Sequence, residues 1–107
     1  MNIESTPTLD EMRQSADRAT DFLRSIAHPQ RLLLLCQLSQ GEKPVGELAD
    51  LLDLRQSTLS QHLARLKAEG LLAARRDGNM VFYTLARRDI LPVIEALYGV
   101  FCGANER

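Results

Sequence analysis

A chain of 107 residues, with 45% apolar and 25% charged side chains, has the composition of one globular domain with a modest core. That balance excludes a disordered chain, and the lack of any run of about 18 apolar residues excludes a transmembrane helix. The net charge of −1 conceals a division: residues 1–54 sum to −4, residues 55–88 to +5 and residues 89–107 to −2. A basic block inside an acidic chain fits either a polyanion-binding face or an ordinary solvated surface.

Residues 1–8 lack the basic start and apolar stretch of a signal peptide and are expected to form a flexible tail on a single domain spanning 1–107. A cytoplasmic location follows, where thiols stay reduced, so Cys36 and Cys102 are not read as a disulfide framework. The first helix is predicted over residues 9–27. Leu9, Met12, Ala16, Ala19, Leu23 and Ile26 recur at alternating spacings of three and four, the seam of a helix that lies along another helix. Pro29 suits the first turn of a second helix, His28 its start, and Gly41 its stop. Leu32, Leu33, Leu34, Leu35, Cys36 and Leu38 make that helix apolar nearly all round, so it is predicted to be buried. A third helix over 45–52 places Val45, Leu48, Ala49 and Leu52 on one face.

The fourth helix, over 56–69, carries Leu59, Leu63 and Leu66 on one stripe, and Gly70-Leu71 reads as its stop. Two strand-like runs, 71–76 and 79–85, flank Asp77-Gly78, a strong hairpin signal. Met80, Phe82 and Thr84 then face one way, and Val81, Tyr83 and Leu85 the other. Asp89 is predicted to cap a last helix with Pro92 in its first turn and a stripe of Ile90, Ile94, Leu97 and Phe101. The predicted fold is therefore mainly α with a β-hairpin: four helices, the hairpin and a fifth helix.

Asp53-Leu54-Arg55 is short enough to join the third and fourth helices as a helix-turn-helix, whose second helix enters the major groove of DNA. Gln56, Ser57, Thr58, Ser60, Gln61, His62 and Arg65 are the residue types that bond base edges or phosphates. The hairpin brings Arg75 and Arg76 alongside as a wing. A helical bundle whose polar face meets only water is the competing account, and the combination of turn, polar helix and basic hairpin favours DNA. No Gly-rich phosphate loop, activated Ser or paired carboxylates point to an enzyme. A winged-helix module that binds protein instead of DNA remains the rival from another class.

The strings Ala27-His28-Pro29-Gln30-Arg31-Leu32, Val45-Gly46-Glu47-Leu48-Ala49 and the run from Gln56 to Leu66, followed by Gly70-Leu71 and by Val81-Phe82-Tyr83-Thr84-Leu85, resemble the ArsR/SmtB family of winged helix-turn-helix repressors. The resemblance covers about residues 8–102. One departure is Arg55, where the family often has a Ser that caps the recognition helix. The family implies a homodimer built from the first and last helices, and their seams (Leu9, Met12, Ala16, Ala19 and Leu23 with Ile94, Leu97 and Phe101) agree. It also implies that a signal releases operator DNA. Family metal sites would need cysteines near 47–50 or His in the last helix, and neither is present, so no metal or other cofactor is expected. The pair Cys36 and Cys102 resembles the family's dithiol branch, in which a reactive sulfur species such as a persulfide is the effector and the second thiol resolves the first into a disulfide or polysulfide bridge. Read without the resemblance, both cysteines are small core residues. A metal-responsive or redox-insensitive regulator stays the alternative.

Overall fold

The computed structural model describes residues 6–102. Helix α1 (Leu9–Ile26) opens with a capping box: the Thr8 hydroxyl accepts from the Glu11 N–H (3.1 Å), and the Thr8 N–H donates to the Glu11 carboxylate (2.8 Å). That bond holds the Glu11 carboxyl below its ordinary range. The tail expected over 1–8 thus ends in a fixed cap, and residues 1–5 lie outside the described residues. Helix α2 (Pro29–Ser39) starts at Pro29, as its fixed φ predicts, and His28 caps it by accepting the Gln30 N–H at Nδ1 (3.2 Å). Leu34, Leu35 and Leu38 are fully buried, but Leu33 is exposed and Leu32 and Cys36 are half-buried. The helix is therefore amphipathic, not apolar-packed on every side.

A short edge strand β1 (Lys43–Pro44) precedes α3 (Val45–Leu52). It had no sequence signal of its own, because two residues cannot show alternation and Pro is tolerated only at an edge. Helix α3 ends on Asp53 in the left-handed region (φ 53°), and the Leu54 N–H closes on the Ala49 carbonyl at 3.0 Å. Asp tolerates that conformation better than most residues. The chain then turns at once into α4 (Gln56–Ala68), one residue shorter than predicted because Glu69 is its C-cap. Gly70 (φ 81°) and Leu71 return their N–H groups to the Lys67 and Leu66 carbonyls at 3.0 and 2.9 Å, a Schellman stop.

Strands β2 (Leu72–Asp77) and β3 (Met80–Leu85) pair antiparallel, with β1 on the far side of β3. The turn lies one residue later than predicted: Asp77 pairs with Met80, so Gly78-Asn79 are the loop residues. Gly78 alone takes positive φ (62°), the signature of a type II′ turn, which needs Gly first. The predicted alternation holds, with Leu72–Leu85, Ala74–Tyr83 and Arg76–Val81 on one face and Arg75–Phe82 on the other. Asp89 does not cap α5 (Leu91–Phe101). It sits in a 3-10 turn (Arg88–Ile90), and its carboxylate takes two bonds from the Arg87 guanidinium at 3.1 and 2.8 Å.

The core is drawn from α2 to α5 and the hairpin, with Leu48 of α3, Leu59, Leu63 and Leu66 of α4, and Leu72 and Leu85 of the hairpin closing over α2. Helix α1 contributes only its C-terminal end, with Ser25 and Ile26 buried and Phe22 packed against the core, and residues 9–21 are all exposed. The molecule is accordingly extended, 50 × 37 × 21 Å with a radius of gyration of 16.0 Å, against about 13 Å for a compact chain of this size. Among the described residues no helix is long and apolar enough to cross a membrane.

Candidate nucleic-acid interface and thiol pair

At about 3.6 residues per turn, Leu59, Leu63 and Leu66 turn one side of α4 into the core and aim Ser57, Gln61 and Ala64 directly outward. All three of these are exposed. Gln56 and Ser60 flank them on the side facing the hairpin. There they line a groove of about 460 Å³ with Pro44, Val45 and Gly46 and with Asn79, Met80, Val81 and Tyr83 of the wing. The α4 face and the hairpin thus form one concave surface, and Asn79 and Met80 belong to it. Neither was singled out from sequence, because a turn residue's partner across space is set by how the hairpin is tilted. No side chain caps α4 at Arg55, as the departure from the family pattern foresaw.

Several predicted contacts sit elsewhere. Thr58 is half-buried on the flank away from the wing. His62 faces α2, where its Nε2 meets the Gln30 side-chain oxygen at 3.1 Å and its ring lies 4.7 Å from that of His28. Burial first, then the charges of His28 and Arg31, push its imidazole below the ordinary range. His62 is therefore not presented to a ligand on the outer face. Arg65 points toward α1, beside Arg18, Phe22 and Arg24, and pairs weakly with Glu69 (3.4 Å). Arg75 is engaged: its Nε and NH2 each reach the Glu42 carboxylate at 2.7 Å, and the guanidinium lies 4.4 Å above the Phe82 ring. The arginine holds the Glu42 carboxyl below its usual range. Arg76, on the opposite face of the hairpin beside Val81, is exposed and makes no ion pair among the described residues.

The thiols lie on two packed helices. Cys36, half-buried on α2, lines a pocket of about 430 Å³ with Ser39 and Gln40 and with Ile94, Glu95 and Tyr98 of α5. Burial pushes the Cys36 thiol up, and Cys102 of the same protomer adds to the shift. Cys102 is exposed at the C-cap of α5, its N–H bonded to the Tyr98 carbonyl (2.8 Å). Among the described residues no three His, Cys, Asp or Glu side chains converge to hold a metal.

On α1 the predicted seam of Leu9, Met12, Ala16, Ala19 and Leu23 is open to solvent. On α5, Ile94 is 1% exposed and belongs to the protomer's own core, so it cannot serve an interface. Of the rest of the expected seam, Leu97 is half-buried against the core and Phe101 is 69% exposed, and Val93 and Val100 are exposed beside them. Ile94 alone leaves the seam, because with Ile90 it supplies the core.

A family model for bacterial regulatory proteins of the arsR family matches residues 28–74. The biofilm growth-associated repressor of Agrobacterium fabrum is 45% identical over 98 residues, covering 92% of this chain and 84% of that protein. The chain belongs to the arsR family. Within that family the transcriptional activator HlyU of Vibrio cholerae is 42% identical over 92% of this arsR-family chain and 91% of its own length. The structure of reduced HlyU from that organism superimposes with a TM-score of 0.83 at 41% identity, covering 88% of this chain and 99% of the other. A homodimeric winged helix-turn-helix DNA-binding domain from Mycobacterium bovis does so with a TM-score of 0.73 at 28% identity, over 90% of this chain and 89% of that one. The fold is a winged helix-turn-helix, with α3 and α4 as the helix-turn-helix and the β2–β3 hairpin as the wing.

Proposed function

We propose that this chain is a homodimeric repressor that acts in the cytoplasm, reads operator DNA with α4 and the wing, and lets go when Cys36 and Cys102 become bridged by reactive sulfur. The observation that carries the DNA reading is the concave surface shared by the outer face of α4 and the hairpin. Ser57, Gln61, Gln56 and Ser60 can bond base edges and phosphates there, and Arg76 supplies a free cation from the wing. The relatives support it, since the Agrobacterium protein is a repressor and the Mycobacterium domain binds DNA as a homodimer. One subunit offers one such face, and two copies joined through α1 and α5 would place two faces about 34 Å apart, one turn of the duplex.

The thiol switch rests on the placement of the two cysteines on α2 and at the end of α5, helices that pack against each other. Cys102, the exposed thiol, attacks as thiolate the outer sulfur of a persulfide R–S–SH. R–S⁻ leaves and takes up a proton, and Cys102–S–SH remains. The Cys36 thiolate then attacks the Cys102 sulfur and expels HS⁻, closing a disulfide. If a second persulfide has first added a sulfur to Cys36, the same displacement closes a trisulfide. The longer bridge suits thiols whose Cα separation exceeds the roughly 7 Å limit of a disulfide. Either bridge ties α2, which backs the reading helix, to α5, which carries the dimer seam, and alters the spacing of the two reading faces.

The experiment is operator binding at several salt concentrations, with and without persulfide, with mass spectrometry of the thiols. Affinity that falls steeply with salt and is lost on persulfide treatment supports the reading. Cys36→Ser and Cys102→Ser should each bind DNA and ignore persulfide. A Cys36→Ser protein that still releases DNA would return both thiols to the role of packing residues.

A further inference from the structure

Gln30 makes two contacts in opposite directions. Its backbone N–H donates to Nδ1 of His28 at 3.2 Å, and its side-chain oxygen accepts from Nε2 of His62 at 3.1 Å. The two imidazoles lie 4.7 Å apart at 54°. His28 ends the link from α1, Gln30 is in the first turn of α2, and His62 is in the middle of α4. A single residue thus ties the reading helix to the helix that carries Cys36, six positions further along. We propose that His28, Gln30 and His62 form a proton-sensitive clamp that seats α4 for operator binding, so that acidification weakens binding. His28 and His62 are positioning residues in this account, and the proposal rests on the operator-binding reading above.

The chemistry sets the sign. His28 Nδ1 accepts a hydrogen bond, which it can do only while unprotonated. A proton there turns the cap of α2 into a donor facing a donor, and places a cation at the positive end of a helix dipole. Among the described residues, what acts on His62 is burial, then the His28 ring and the Arg31 guanidinium, and all three resist its charging. The buried Nε of Arg31 has no hydrogen-bond partner among the described residues. The clamped state therefore holds fewer protons than an unclamped one: His62 is held below the ordinary imidazole value of about 6.5, and the His28 cap exists only while Nδ1 carries no proton. Seating is fully present above that value and is lost as pH falls below it. A His62 that touched phosphate would behave oppositely, because its imidazolium would bind DNA better as pH fell. The direction of the pH response separates the two.

The test measures the affinity of the full chain for the tightest duplex recovered from a random-sequence library, at fixed ionic strength, between about pH 5.5 and pH 8. Each coupled proton can change affinity by at most about tenfold per pH unit, and we expect the wild type to bind at least about threefold more weakly at pH 5.5 than at pH 7.5. In the double variant His28→Asn with His62→Gln that ratio should approach one, since Asn caps a helix without titrating and Gln can still donate to Gln30. A wild-type ratio that is flat or inverted overturns the clamp, as does a ratio that survives in the double variant. If His62→Gln does not fold, His28→Asn alone must shrink the ratio. If no duplex binds at any pH, the operator reading fails on its own terms. The clamp is then judged by NMR of the free protein. The Gln30 amide should shift as acid breaks its bond to His28 Nδ1, and His28→Asn should raise the His62 midpoint. An unmoved amide or an unmoved His62 midpoint would overturn it.

Discussion

Arg75 and Arg76 are adjacent in sequence and have different jobs. Strand alternation puts them on opposite faces of the hairpin, and only Arg75 meets a carboxylate and an aromatic ring. Arg75 braces the wing to the chain ahead of β1 through Glu42, while Arg76 is exposed and meets phosphate in the proposed operator complex. Arg76→Ala should therefore lower operator affinity and flatten the slope of log affinity against log salt by about one phosphate contact. Arg75→Ala and Glu42→Gln should each lower the thermal midpoint modestly, and the double variant should be no worse than the worse single one, because both remove the same bond. The low Glu42 carboxyl fixes the pH dependence of that brace. It is intact above the ordinary carboxylate range and is lost only as pH falls through the depressed value. A midpoint difference between wild type and Glu42→Gln that persists in strong acid would refute the assignment.

At the scale of elements, the helices were legible because their signals are local. Pro29 and Gly70 mark a start and a stop by backbone geometry alone. Gly70 has open space where a Cβ would stand, so Gly70→Ala tests conformation only. Its φ of 81° should make that change cost about 1 kcal/mol in urea unfolding, with the slope unchanged. A neutral Gly70→Ala would mean that the Schellman stop is dispensable. The capping box Thr8-x-x-Glu11 was readable in the same way and was passed over. What sequence pattern could not supply was phase and partner. Asp77-Gly78 looked like a turn, but pairing across the sheet chose Gly78-Asn79. His62 has the chemistry of a DNA contact and the address of a packing residue, and only the approach of α2 to α4 distinguishes them. On α5 the period that joins Ile94 to Leu97 and Phe101 could not show that Ile94 belongs to the core.

For the whole molecule, the contrast between Leu23 and Ile94 is the sharpest test of assembly. Leu23 is 53% exposed in the protomer and Ile94 is 1% exposed. Leu23→Glu should leave the protomer core intact and yield monomers in sedimentation, as should Val100→Glu. Ile94→Ala should leave the assembly's design untouched and cost about 2–5 kcal/mol of stability. Stable dimers from both glutamate variants would place the interface elsewhere. The exposure of residues 9–21 reaches further than the interface. In the proposed dimer, a helix with almost no floor in its own protomer would be held straight by its partner, so its order would depend on how many copies are present. In the proposed dimer, dilution would fray α1 before it touched the α2–α4 core, and proteases would find that helix first in a sparsely expressed population. Occupied operators would then vary with something closer to the square of copy number than to copy number itself, and a halving of protein would be felt as more than a halving of repression.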